Sequence, residues 1–364
     1  MSQQKPVVGE SEAVTLLLTF LSYKVFLAYG VFIYSEGLNA SWIIPLINTL
    51  LGLLGVLLLI SLLSKFPGQD LVKIGEVLSG PYLNMLFVLF YLFIFLLSGG
   101  LVLRLAAERM AAGCFVDTPI SLTTFFFIAG ALVVSYLGLE AVARTARFLL
   151  GILIITAMAM VIFTIPFWQF HALYPLWGSG PWGLLKGAIK NSGDYVQILF
   201  LGVIYPFIPR DRLKAIGIKS VLFASFFMFL YILVPLLIFT YPSVTELAMP
   251  SIEMARIINL GRFGQRLEVI FLPVWVFSNL ITLSIALYAS AAVFARAFKL
   301  NDYRPFVLSS AVFILVIASL PENVSQAIYY HYKYLTQYSL SALALILLIL
   351  HSVAWIRGKE ESKG

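Results

Sequence analysis

The chain has 364 residues, of which 61% are hydrophobic and only 11% charged, with a formal charge of +7. An ordinary soluble domain carries roughly 25% charged residues, so 24 basic and 17 acidic side chains are too few to coat a water-soluble protein of this length. The composition points to an integral membrane protein, and the basic excess is not a nucleic-acid signal, because it falls in the short gaps between apolar runs where it orients membrane helices.

The first dozen residues, MSQQKPVVGESE, lack the basic segment, apolar core and cleavage site of a secretory signal, so no removal is expected. A helix needs about 20 apolar residues to cross the hydrocarbon core. Ten segments qualify: 13–34, 41–64, 82–103, 119–138, 148–168, 184–207, 216–240, 268–294, the short 305–320, and 336–356. The period-two alternation of a membrane barrel does not recur. Ten crossings put both termini on one side. Fifteen basic residues fall on that side and six on the other, which predicts cytoplasmic termini. No low-complexity linker divides the chain, so one domain spanning 1–364 is expected, with halves at 13–168 and 184–356.

Span one reads FLSYKVFLAYGVFIYSEG and places Lys24 near mid-membrane. A charge there costs from about 2.5 to above 10 kcal/mol, so it must face protein or a wet cavity. Three roles remain open. The ammonium replaces a bound cation between span one and span eight, or carries a proton, or pairs structurally with a carbonyl or with Asp194. After span two, KFPGQDLVKIGEVLSGPYLN has apolar residues at helical spacing and is expected along the membrane surface. Cys114 alone rules out an internal disulfide. Glu140 and Arg144 form an i,i+4 pair before span five.

Span six contains NSGD, Asn191 to Asp194, residues that fit poorly in a lipid-facing helix and predict local unwinding. Lys190 lies four residues before Asp194, within reach of pairing with it on one helix face, and a structural Asp194 paired in this way is the alternative to a ligand or gating role. Spans one and six are five apart and run in opposite directions, the pattern of an inverted five-plus-five repeat. Where a helix unwinds at mid-membrane its free amides and carbonyls need partners, and a zwitterionic amino acid offers both charges at once. The external stretch YPSVTELAMPSIEMARIINLGRFGQR has room for a helix or two, with Arg266 and Glu268 as gating or structural charges. ENVSQAIYYHYKYL, before span ten, is expected in the headgroup zone.

Enzyme chemistry finds no inventory. His171, His331 and His351 are widely separated, no cysteine pair accompanies them, and no phosphate-binding glycine loop occurs. No cofactor or metal is expected.

The stretches YLGLEAVARTARFLL, KFPGQDLVKIGEVLSG, IYPFIPR and INLGRFGQRLEVIFLPVWVF, in their order and spacing, resemble the B subunits of bacterial spore germinant receptors. These form the endospore germination permease family within the amino acid/polyamine/organocation superfamily. The resemblance covers essentially the whole chain. It implies a leucine-transporter-like, all-helical membrane fold with helices one and six broken. It further implies an amino acid germinant bound within the lipid bilayer of the spore inner membrane, partnership with an A subunit and a lipoprotein C subunit, and signalling rather than necessary uptake. Carried over by position, it implies a ligand site at Ala28, Tyr29 and Gly30 of span one, Ser98 and Gly99 of span three, Gly193, Asp194 and Gln197 of span six, and Ser278 and Thr282 of span eight. Ser98, Ser278 and Thr282 have an alternative, since small hydroxyl residues also bond helix carbonyls or ease packing. Span one offers only Gly30 where the superfamily has a glycine-rich break.

Overall fold

The computed structural model describes residues 7–26, 30–113, 117–247, 250–258 and 268–357. Among these residues the fold is entirely helical. Seven helices are long and apolar enough to cross a membrane, within Ile43–Lys65, Leu71–Ala111, Ile120–Leu137, Leu139–Phe167, Arg210–Phe239, Trp275–Ala297 and Val324–Ile356; Arg304–Ser319 is shorter.

The first expected span is not one helix. Helix α1 (Glu10–Ser22) begins where Glu12 accepts the Gly9 amide at 2.9 Å, with two carboxylates in the first turn at the helix's positive end. It gives way to a 3-10 turn over Tyr23–Phe26, and helix resumes as α2 (Gly30–Gly37). Next come α3 (Ile43–Lys65) and the long α4 (Leu71–Gly113). Gly80, at φ 80°, kinks α4 and separates a short stretch ending at Ser79 from the crossing proper, a conformation that Pro81 follows easily and that few residues other than glycine tolerate. The stretch expected along the surface is thus the first arm of α4.

α5 (Ile120–Leu137) and α6 (Leu139–Thr164) meet at Gly138, and the Glu140–Arg144 pair forms on the surface of α6. Span six is divided like span one: α7 (Gly180–Lys190), a 3-10 stretch over Ser192–Ile198, then α8 (Leu199–Ile204). α9 (Leu213–Phe239) follows. In the external stretch lie a 3-10 turn at Ser243–Glu246 and α10 (Pro250–Ile257). α11 (Glu268–Ala297) and α12 (Arg304–Ser319) come next, while the expected Arg266–Glu268 pair and Cys114 lie outside the described side chains. α13 (Val324–Tyr330), capped by the Asn323 side chain, runs through a π-helical segment, His331–Thr336, into α14 (Ser339–Ile356). Within the tyrosine-rich stretch, His331, Tyr332, Leu335 and Thr336 turn into the bundle, while Tyr329 and Tyr334 stay exposed.

α4 and α11 pack against each other at the centre, and 83% of the span in α11 is buried against 11% in α6, which faces lipid. With no hydrophobic drive between helices inside a bilayer, close approach depends on small residues. Gly100 of α4 lies against Ile317 of α12, and a Cβ there would also stand 3.2 Å from the Ile314 carbonyl oxygen. Gly100→Val is expected to overpack this contact and cost about 1–3 kcal/mol, read as a lower melting temperature in detergent. Gly151→Val on α6, where a Cβ meets nothing within 4 Å, should leave that temperature unchanged.

Candidate functional site

The two interruptions meet at one buried pair. Asn, Ser and Asp side chains compete with the helix for backbone hydrogen bonds, so α7 stops at Asn191, whose own amide side chain caps the Gly187 carbonyl at 2.8 Å. The chain then tightens into the 3-10 stretch that carries Asp194 and Gln197. Gly193 is required for close approach: a Cβ would run into the carbonyl oxygens of Leu335 and Thr336 and the Ser339 hydroxyl. On span one, Lys24 sits in the corresponding 3-10 turn and is 1% exposed. Its ammonium lies 3.5 Å from Asp194 Oδ1, donates to the Asp194 backbone carbonyl, and donates to Gln197 Oε1 at 3.1 Å.

From this pair a closed ring of side chains crosses spans one, six and ten. Gln197 Nε2 donates to the Tyr23 hydroxyl at 3.4 Å, and Tyr23 meets His331 Nε2 at 2.8 Å. His331 Nδ1 lies 3.4 Å from the Thr336 hydroxyl, which donates to Asp194 Oδ1 at 3.2 Å. One proton arrangement satisfies the ring: Tyr23 donates to Nε2 of a neutral His331 whose Nδ1–H faces Thr336, so that every donor points around the circle towards Asp194. Asp194 Oδ2 has no hydrogen-bond partner among the described residues. It borders a small cavity of about 20 Å³ shared with Asn191, His331, Tyr332 and Thr336, room for one water.

Beyond the ring, Glu36 of α2 gathers a second cluster. It accepts from Lys190 at 2.9 Å, from the Tyr332 hydroxyl at 3.0 Å and from the Asn191 side chain, while the Phe32 and Tyr332 rings stack with centroids 3.9 Å apart. The Lys190–Asp194 pair does not form. The chain leaves α-helical geometry at Asn191, so residues four apart no longer share a face, and each partner finds another: Lys190 takes Glu36, and Asp194 takes Lys24. Among the described residues, the polar partners of the Lys24 ammonium, Asp194 and Gln197, lie on span six. The ammonium stands between spans one and six.

Of the residues expected to bind ligand, the structure thus unites Gly193, Asp194 and Gln197 with Lys24. Ser98, wholly buried on α4, adjoins the Tyr23 hydroxyl. Ala28 and Tyr29 lie outside the described residues. Gly30 opens α2 under the Tyr34 ring, and Gly99 packs against Ile314 and Ala286, away from the ring of polar groups. Thr282 bonds the Ser278 carbonyl of its own helix at 2.9 Å. Ser278 lines a different space, a cavity of about 80 Å³ bounded by α1, α6, α9, α10 and α11. Sequence reasoning missed Tyr23, Glu36, His331 and Thr336. The available signal was a histidine close to a lysine in a tyrosine-rich stretch of mixed polarity, and the π-helical turn they occupy is a form often found at functional positions.

Removing one member of a buried pair strands the other, at about 3–5 kcal/mol, whereas replacing both with apolar residues is often neutral. Lys24→Met is expected to destabilise the protein by that amount and Lys24→Met/Asp194→Leu to recover most of it, measured by thermal unfolding in detergent.

A family model described as "Spore germination protein" matches residues 14–327. Among curated relatives, the chain is 21% identical over 313 residues to spore germination protein YndE of Bacillus subtilis (strain 168), covering 85% of this chain and 86% of that one. It is 19% identical over 330 residues to spore germination protein B2 of the same organism, covering 89% and 88%. Among solved structures it resembles Mhp1, a nucleobase-cation-symport-1 family transporter in a closed conformation with bromovinylhydantoin bound, at TM-score 0.73 and 14% identity over 98% of this chain and 82% of that one. It also resembles MhsT in complex with L-phenylalanine, at TM-score 0.63 and 14% identity over 93% and 87%. The fold is that of leucine-transporter-like membrane proteins, and with the family match it marks a non-enzymatic receptor or transporter. The chain belongs to the spore germination protein family of permeases.

Proposed function

We propose that this protein is the nutrient-binding subunit of a spore germinant receptor, sensing a small amino acid at mid-membrane and acting with an A subunit and a lipoprotein C subunit. One domain of two five-helix halves, 13–168 and 184–356, carries the site. Both termini face the cytoplasm, and the setting is the spore inner membrane. The observation that carries this reading is the pair of interrupted helices locked together by Lys24 and Asp194. A ligand that binds better to another arrangement of this lock would shift the population by its difference in affinity between the two.

A proton-coupled amino acid transporter is the second reading. It is favoured by the buried carboxylate with one oxygen free of partners and by the transporters whose fold the chain shares. Reconstitution into liposomes with labelled amino acids and an imposed proton gradient separates the two. Sensing predicts saturable binding without accumulation in the absence of partner subunits. Accumulation against the gradient of the amino acid, abolished by Asp194→Asn, would replace sensing with transport.

A further inference from the structure

The polar ring uses its own hydrogen-bonding groups on one another, Asp194 Oδ2 excepted, and the space beside it has room for one water. A larger space adjoins span one elsewhere, the cavity of about 80 Å³. A close-packed interior rarely leaves such a space, and its described lining residues include no charged side chain. Met158, Met160 and Met254 line it, and flexible thioethers adapt to varied apolar shapes. One lining group asks for a partner. The Thr19 hydroxyl, on a residue 4% exposed, has no hydrogen bond among the described residues. Ser22 and Val25 of the same segment also face the cavity, so it abuts the place where α1 gives way to the 3-10 turn, and the negative end of α1 suits an ammonium.

Resting on the nutrient-binding reading above, we infer that this cavity receives the apolar side chain of the nutrient, selecting a neutral amino acid with an aliphatic side chain of about leucine size. A charged side chain would lose its hydration among these apolar and hydroxyl groups, and because the buried Arg109 stands near the Tyr231 of the lining, the exclusion is strongest for a basic side chain. Glycine would leave the cavity empty and forgo its contacts.

The test uses the purified full-length chain in nanodiscs, with dissociation constants for glycine, L-valine, L-leucine and L-aspartate obtained from ligand-dependent melting shifts. Leucine and valine should bind at least tenfold more tightly than glycine or aspartate. Ala157→Phe, which fills the cavity from α6, should weaken leucine at least tenfold, and Thr19→Val should weaken it severalfold. If Ala157→Phe lowers the ligand-free melting temperature, Thr19→Val alone decides this arm. Glycine or aspartate binding as tightly as leucine would overturn this inference and leave the nutrient-binding reading standing. So would leucine affinity unmoved by the cavity variants, and native mass spectrometry showing a lipid retained by the wild type and lost from Ala157→Phe would then assign the cavity to the bilayer. If no amino acid shifts the wild type, both readings fall.

Discussion

The architecture depends on a charge pair buried away from bulk water. Burying an ammonium and a carboxylate costs several kcal/mol for each ion, and their attraction offsets this only when geometry is good and the remaining polar atoms are satisfied. Lys24 aims its donors at Asp194 Oδ1, the Asp194 carbonyl and Gln197, while Asp194 Oδ2 has no hydrogen-bond partner among the described residues. The carbonyl sits in a 3-10 stretch of span six and the ammonium in a 3-10 turn of span one, so the pair requires both interruptions. The interruptions in turn would leave polar groups stranded in the bilayer without the pair. Each feature is the condition of the other.

The lock is held from both ends. Towards α2, Glu36 ties Lys190, Asn191 and Tyr332 together, joining spans one, six and ten. At the end nearer the termini, the amides of Val7 and Val8 donate to the Phe207 carbonyl, Glu10 pairs with Lys219 at 2.6 Å, and Arg296 donates to the Val203 carbonyl at 2.8 Å while standing 3.7 Å from Asp70. The divided helices one and six are therefore pinned where each half terminates. Their centre is polar, and long stretches of the surrounding helices are apolar. This is the distribution needed for a rigid scaffold around a few elements that can rearrange.

Much of this was legible in the residues. Lys24 inside an apolar span demanded an interior partner, and NSGD announced the interruption of span six, because helix propensity and membrane energetics both penalise those residues where they stand. The pairing was less legible. Lys190 looked like the partner of Asp194 only on the assumption that α-helical geometry continues through Asn191, and the break that the same residues predict removes that geometry. His331 and Thr336 escaped for a different reason. Tyrosines in a stretch of mixed polarity fit the headgroup zone as well as a bundle interior, and only the path of α13 into α14 decides between them. Gly99 illustrates a third limit: a small residue in a span serves ligand approach or helix approach equally, and here the neighbour is Ile314.

The turn at Tyr23–Phe26 faces two environments, and its geometry says how they communicate. A 3-10 helix has three residues per turn, so residues three apart eclipse one another. Ser22, the last residue of α1, and Val25 of the turn both line the larger cavity, while Tyr23 and Lys24 between them point into the polar ring. A ligand pressing on Ser22 and Val25 therefore acts on the backbone that positions the ammonium, with no intervening side chain to absorb the shift. Small displacements matter at that point because the ring offers no graded response. Moving the ammonium by about an ångström takes a hydrogen bond out of its working range and leaves a buried charge short of partners. On the inferred nutrient reading, such a junction would convert the filling of an apolar space into the keeping or breaking of an ion pair, the kind of two-state element that a sensor built on a transporter scaffold requires.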